Sequence, residues 1–447
     1  MRLLTVLCFL WLSVGVFARH FPLKVKNVAD FNYVATPCSS NTSSAWLDII
    51  LLIDNSATMG NASLRQIGLS LSSEFSQYTI GPYGSSASRV AIVTYNAGAN
   101  LIGDFNALST IQKITAALTS IRQTNVVQIE YGLYDALEIA RDMAQLAYEQ
   151  CTSENGFYHQ PNPAAVVLFG AQAPFVDSID KITQVANQLK SWANLITVNY
   201  NVNSVDLTNF LNSIATPYMN LSVSKTLYDD LEFNLMQTNC FCDFGPQLSA
   251  FDPVKNRVVK YAECSYNSEE LGLTWGTAEA LCNSYQSNVV LAPLTSSLRY
   301  NFTVSIYQNA LPGFMVDPIY IGLHRNSRKA WVWYDYDGSE IPDSGSFSNW
   351  APGYGFNSTG DCVAIQGGNA EKSSSYLWIN AACNITTTNI DNARCGYHAC
   401  DASNMYQSAL AGLNHRCVIF ESDVKKKKAF EARRKLLKET RKNKNKA

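Results

Sequence analysis

The chain has 447 residues, 47% hydrophobic and 16% charged, which is enough apolar material for two ordinary globular domains and too evenly mixed for a disordered or fibrous protein. Its 34 basic and 36 acidic residues nearly cancel, but twelve of the basic ones stand between Lys425 and Lys446, leaving 22 basic against 34 acidic residues once Glu431 and Glu439 are set aside with them. An acidic body with a basic tail excludes the usual nucleic-acid-binding surface, which works by cationic neutralisation of phosphates.

Residues 1–18 read as a secretory signal: Arg2 supplies positive charge, Leu3 to Phe17 are almost wholly apolar, and Val16-Phe17-Ala18 offers small residues for cleavage. No later run approaches the ~18 apolar residues that span a bilayer, so the expectation is a secreted, extracellular chain without a transmembrane segment. Six Asn-x-Ser/Thr sequons, at Asn41, Asn61, Asn220, Asn301, Asn357 and Asn384, and twelve cysteines agree with that compartment. Loss of Cys8 with the signal leaves an odd cysteine count, so one thiol is free, buried or paired with another chain.

After a linker at 19–45, residues 46–238 alternate apolar runs with amphipathic stretches, the pattern of a doubly wound α/β, Rossmann-like domain. The strands expected are Trp46 to Ile53, interrupted by Asp48, then Val90 to Tyr95, Ala164 to Phe169 and Leu195 to Tyr200. Helices are expected over Leu64 to Tyr78, Ser109 to Ile121, Glu130 to Gln150 and Asp180 to Ala193. At the carboxyl end of the first strand stands Asp54-Asn55-Ser56-Ala57-Thr58, where open α/β sheets place ligand sites. One carboxylate and two hydroxyls on a tight turn are hard oxygen donors suited to magnesium or a similar cation; the plainer alternative is that Asp54 and Ser56 only cap the next helix and fix the turn.

That turn, followed by Ser88-Arg89-Val90-Ala91-Ile92-Val93-Thr94-Tyr95, Thr124-Asn125 and Tyr131-Gly132-Leu133-Tyr134-Asp135-Ala136-Leu137, resembles the von Willebrand factor A domain. The resemblance implies a metal ion held by Asp54, Ser56 and Thr58, by Thr124 in a second loop, and by an aspartate after a later strand. Ala171 stands where that aspartate belongs, and Asp177 substitutes only if its loop folds back. No certain cofactor follows, at most a weakly bound magnesium or calcium ion. The sequon at Asn61 puts a glycan acceptor a few residues past this turn, at the rim of the site.

A segment without clear periodicity, 239–259, reads as a linker to a second domain at 260–422. There Cys264-Ser265-Tyr266, Leu273-Thr274-Trp275, Tyr320-Ile321-Gly322-Leu323, Trp331-Val332-Trp333, Asn349-Trp350, Asp361-Cys362-Val363, Trp378 and Cys417-Val418-Ile419-Phe420-Glu421 resemble a C-type lectin-like domain, an α+β fold that needs disulfide support. The resemblance implies Cys282–Cys417 and Cys362–Cys383, while Cys395 and Cys400 are close enough to pair locally. Cys38, Cys151, Cys240, Cys242 and Cys264 are left unassigned. Sugar-binding members coordinate calcium through carboxylate-bearing triplets. Here the first slot holds Tyr354-Gly355-Phe356, the second reads Trp378-Ile379-Asn380, and the glutamate before the loop cysteine is Gly360. Calcium-dependent sugar binding of the usual kind is therefore not expected, and Tyr354, Phe356 and Asn380 are the candidate ligand-loop residues.

Residues 423–447 form a basic tail with a faint apolar face, suited to contact with anionic surfaces. The histidines His20, His159, His324, His398 and His415 have no partners at the spacing of a zinc site or a hydrolase, so no enzyme is expected. The combined reading, similar to secreted lectin-like proteins of roundworms, is an extracellular recognition protein for a glycan or protein ligand, in innate immunity by that resemblance. Its rival is a structural or adhesive matrix component linked through disulfides.

Overall fold

Seven consecutive buried residues, Asp48–Asp54, form β1, the centre of the first sheet. In the computed structural model, β2 (Arg89–Tyr95) and β4 (Ala164–Gly170) flank it in parallel, and all three strands are buried along their whole length. Burial on both faces explains why these runs do not alternate with polar residues. The sheet is completed by β3 (Ala99–Gly103), antiparallel to β2, and by β5 (Ala193–Asn199) and β6 (Asn220–Ser222), in the order β3-β2-β1-β4-β5-β6. Helices α1 (Gly60–Phe75), α2 (Ile111–Ser120) and α6 (Leu227–Thr238) cover one face, and α3 (Glu130–Cys151), α4 (Val176–Leu189) and α5 (Val205–Ile214) the other. The description covers residues 35–81, 87–151, 162–242, 246–269, 274–285, 289–309, 319–336, 338–356, 360–366, 376–384 and 392–398. The signal at 1–18, Asn357, Cys400, Cys417 and the tail lie outside it.

Asp48, the break in the first apolar run, receives the Arg89 guanidinium through Nε at 2.7 Å and through Nη2, with Asn162 Nδ2 at 3.0 Å. A buried charge is tolerated when it is paired and hydrogen-bonded in this way. Gly132 marks a close approach of α3 to the β2–β3 turn, since a Cβ there would fall 2.0 Å from the Asn96 carbonyl oxygen. Helix α4 begins at Val176 rather than Asp180 and ends before Ala193, which belongs to β5. Asp177 therefore sits in the first helical turn, where a carboxylate complements the helix dipole, and does not fold back over the metal turn.

The second domain is built on the sheet β12-β11-β10-β15-β8-β7, with β13 and β14 beside β10 and β9 beside β15. Its strands are β7 (Gln247–Asp252), β8 (Arg257–Glu269), β9 (Val290–Leu291), β10 (Ile319–Arg325), β11 (Trp331–Tyr334), β12 (Glu340–Pro342), β13 (Cys362–Ile365), β14 (Trp378–Ala381) and β15 (Asn392–His398), with α7 (Trp275–Tyr285) and α8 (Ser297–Asn309). The segment expected to be a linker thus contains β7, an edge strand antiparallel to β8. Periodicity missed it because its burial alternates weakly, with one fully buried residue, Leu248.

Residues of the expected N-terminal linker also have fixed partners: Thr36 N donates to Glu263 Oε1 at 2.6 Å, and Ala262 N to Thr36 O at 2.8 Å. Disulfides Cys38–Cys240 and Cys242–Cys264 join this strap and the end of α6 to the second sheet. Four of the five cysteines left unassigned by sequence are thereby paired within the chain. The fifth, Cys151, closes α3. Glu263, which the strap touches, is buried in a bidentate pair with Arg299, at 2.8 and 2.6 Å.

Candidate ligand-binding loops

The loop after β1 is shaped by Asp54, whose side chain is fully buried. Its Oδ1 accepts the Ser56 N–H at 2.8 Å and its Oδ2 the Ala171 N–H at 3.1 Å. Burial pushes the carboxyl above its ordinary range, opposed by the hydrogen bonds from Ser56 and Ala171. Asp54 fixes the turn through the Ser56 N–H, but neither Asp54 nor Ser56 caps the next helix: α1 has no side-chain cap at its N-terminus. The Ser56 hydroxyl, close enough to Asp54 to favour its ionised form, meets no partner in good hydrogen-bond geometry.

Thr58 Oγ1 donates to Gln172 Oε1 at 2.6 Å, and Gln172 in turn donates through Nε2 to the Val127 carbonyl. Thr124 is brought next to the turn, but both its N–H (2.9 Å) and its hydroxyl (3.0 Å) donate to the Asn55 carbonyl. Asn55 is further held by Asn96 Nδ2 on Oδ1 at 2.8 Å. The donor set fits a resident divalent cation poorly. It offers one carboxylate whose oxygens each receive a backbone N–H, a methyl at Ala171, and a Thr124 hydroxyl held by backbone. Among the described residues no group of three or more His, Cys, Asp or Glu side chains could hold a metal.

Exposed apolar residues ring this loop. Val127, Tyr131, Phe175, Val202 and Val205 are each more than half exposed, Tyr131 at 80%. They belong to the loops and helix starts at the carboxyl end of the sheet, tied by Gln172 to Val127, by Phe175 N to Glu130 Oε1 (3.4 Å) and by Asn201 Nδ2 to the Ala171 carbonyl (3.3 Å). Sequence reading passed over them. The helical register held a signal: Ile129, Leu133, Ala136 and Leu137 face the core, and Tyr131 falls off that stripe.

In the second domain, Asn380 of β14 is buried. Its Oδ1 accepts the Gly355 N–H at 2.8 Å, and its Nδ2 donates to Phe356 O at 3.1 Å and Gly360 O at 2.7 Å. The amide thus braces the backbone at Gly355, Phe356 and Gly360, using donor and acceptor capacity that a cation would need. Gly355 adopts φ +88° over the Trp350 ring, and Gly360 adopts φ +127° where a Cβ would lie 2.0 Å from the Ala381 backbone. A glutamate at 360 is therefore excluded by sterics as well as absent. Beneath the loop, Trp350 packs on Trp331 and Trp378 with ring centroids 5.3 and 5.6 Å apart. Tyr354 (38%) and Phe356 (64%) are exposed beside them.

Cys362 and Cys383 are bonded across the base of this loop, and Cys282 is also in a disulfide, its expected partner Cys417 lying outside the described residues. Cys395 lies on β15, beyond the described side chains. Asn41, Asn61, Asn220, Asn301 and Asn384 are all exposed, and Asn61 accepts the Gln123 N–H through Oδ1 at 3.0 Å. His324 is a packing residue, stacked between Trp275 and Tyr334 with centroids 4.6 Å from each. Burial lowers its pKa.

Residues 48–237 match the von Willebrand factor type A domain family, and residues 272–390 match the C-type lectin domain family. Along the sequence the chain is similar to C-type lectin domain-containing protein 160 of Caenorhabditis elegans, 24% identical over 374 residues, covering 81% of this chain and 55% of that relative. The chain thus spans about half the length of the relative it matches. Among solved structures it is similar to proximal thread matrix protein 1 from the mussel byssus, with a zinc-occupied MIDAS motif (16% identity, 44% of this chain and 48% of that one, TM-score 0.35). A second similarity is to ovocleidin-17 of the Gallus gallus eggshell calcified layer (20% identity, 35% of this chain and 99% of that one, TM-score 0.25).

Proposed function

From a chain that carries a von Willebrand factor type A domain followed by a C-type lectin domain, we propose a secreted, non-enzymatic recognition protein that binds a glycan or protein ligand through loop surfaces, without the usual calcium coordination, in a role such as innate immunity. The two family matches support an extracellular recognition or adhesion role, and no helix among the described residues is long and apolar enough to cross a membrane. The observation that carries the finer reading is Asn380, whose amide is engaged by three backbone groups of the loop that would have to supply calcium ligands. Tyr354 and Phe356 then offer flat apolar faces on a braced loop, suited to stacking on a sugar or on a partner's side chains. The matrix reading needs a cysteine for another chain; Cys38, Cys240, Cys242 and Cys264 are already paired internally, which among the five unassigned cysteines leaves it Cys151.

The test is a glycan array with calorimetry on the secreted chain in calcium, in magnesium and in chelator. Binding unchanged by chelator and abolished by Tyr354→Ala with Phe356→Ala supports the reading. Binding that disappears in chelator overturns it, and disulfide-linked oligomers on non-reducing gels would favour the matrix role instead.

A further inference from the structure

We propose that the basic segment Lys425–Lys446 of this chain docks on the carboxyl end of the first domain's sheet, over Val127, Tyr131 and Phe175. Two features of that face point to such an occupant. The first is apolar area: Val127 (64%), Tyr131 (80%), Phe175 (63%), Val202 (52%) and Val205 (70%) gather at one end of one sheet, where a stable monomer leaves little such surface open. The second is charge. Glu130, Asp177, Asp180, Asp206, Asp229 and Asp230 stand on the loops and helix starts at this end, against Arg65, Arg122, Lys181 and Lys225. The Arg122 guanidinium is turned onto the Thr119 and Ile121 carbonyls, at 2.7 and 2.8 Å.

An acidic rim around apolar side chains complements a segment that is both cationic and apolar. Lys425–Lys446 has that composition, with twelve basic residues, Glu431 and Glu439, and Phe430, Leu436 and Leu437 among them. Residues 399–424 separate it from the last described strand, and a chain of that length reaches up to ~85 Å, more than the ~35–40 Å breadth of a domain of this size. A segment tethered in this way meets the face at an effective concentration on the order of millimolar, so even a weak pairing is populated. Another exposed apolar group, Tyr218, Phe251 and Val254, is a poorer match because Lys255 and Arg257 stand beside it and repel a cationic segment. The same loops that fit a cation poorly at Asp54 thus present a surface for cationic side chains at their rim.

Carbodiimide cross-linking of the full secreted chain, with the amide bonds mapped by mass spectrometry at ~0.15 M salt, tests the proposal. Links from the tail lysines should concentrate on Glu130, Asp177, Asp180 and Asp206, and should fall about tenfold in the Tyr131→Ser, Phe175→Ser double variant. Both changes are at exposed positions, and an unchanged melting temperature verifies that the variant is folded. Links spread over Asp104, Glu149 and Asp252, away from that end of the sheet, as densely as over the proposed rim would overturn docking. So would links indifferent to the double variant, links found only between molecules, or an intact mass showing that the tail is removed.

Discussion

In the first domain a carboxylate stands at the place where a cation would be held, but Asp54 is fully buried and receives N–H groups from Ser56 and Ala171. In the second domain the corresponding loop has an amide, and Asn380 is bonded on three sides to the backbone it supports. The comparison separates two ways of organising a loop without a metal. Asp54 closes one loop against a neighbouring strand's end and leaves the Ser56 hydroxyl unsatisfied, whereas Asn380 supplies both donors and acceptor to its loop. The lectin-type loop should therefore depend more on its single side chain than the A-type loop does.

The largest expected effect is on that side. Asn380→Ala leaves the Gly355 N–H and the Phe356 and Gly360 carbonyls without their partner, and at about 1 kcal/mol or more per unsatisfied group the loss should reach about 2–4 kcal/mol. Asn380→Asp should recover little, because a carboxylate cannot donate to either carbonyl. Chemical denaturation of the second domain's transition measures both. Asp54→Ala should cost less, about 1–3 kcal/mol, because two N–H groups lose one acceptor each and no carbonyl is stranded. An Asp54→Ala loss exceeding that of Asn380→Ala would break the comparison.

Much of this was legible in the sequence, and the reasons for the rest are specific. Runs such as Val166-Val167-Leu168-Phe169 could only be central strands, and the Asp-x-Ser-x-Thr turn at the end of β1 located the loop correctly. Ala171 warned that the donor set was short. What no pattern could reveal was orientation: Thr124 is adjacent to the turn, as expected, yet its hydroxyl addresses the Asn55 carbonyl. Likewise Asn380 was recognised as a ligand-loop residue, but its burial under the loop depends on the positive φ angles of Gly355 and Gly360, which a one-dimensional pattern does not carry. The strap at Thr36–Cys38 and strand β7 were missed because short edge pairings lack periodicity.

A buried carboxyl away from both loops gives the next effect. Glu74 of α1 faces Glu232 and Asp229 of α6, beside the buried Tyr78 hydroxyl, and burial first, then the hydrogen bond and charge of Glu232, push its pKa up to about 8. The folded state therefore holds a proton that the unfolded state has released. Stability is fully present below about pH 4.5 and declines as pH rises toward 8, by about 1–3 kcal/mol for this group. Glu74→Gln should flatten the pH dependence of denaturation between pH 5 and pH 8 by that amount; an unchanged slope would remove Glu74 as its source.

The smallest effect sharpens the metal side of the comparison. For the chain as it stands, millimolar magnesium or manganese should leave the melting temperature where chelator puts it, because Asp54 is a lone carboxylate already held by backbone N–H groups. Ala171→Asp would place a second carboxylate beside it, at a position only 2% exposed. Two carboxylates there repel in a site that already raises the pKa of one, so the variant should be less stable in chelator than the parent chain. A cation that pairs with both would reverse that loss: at ten times its dissociation constant it returns RT ln 11, about 1.4 kcal/mol. Ion-dependent recovery confined to Ala171→Asp would show that the missing carboxylate is what separates this loop from a metal site. Stabilisation of the unaltered chain by the same ions would place the deficit elsewhere and return Asp54, Ser56 and Thr58 to the role of ligands.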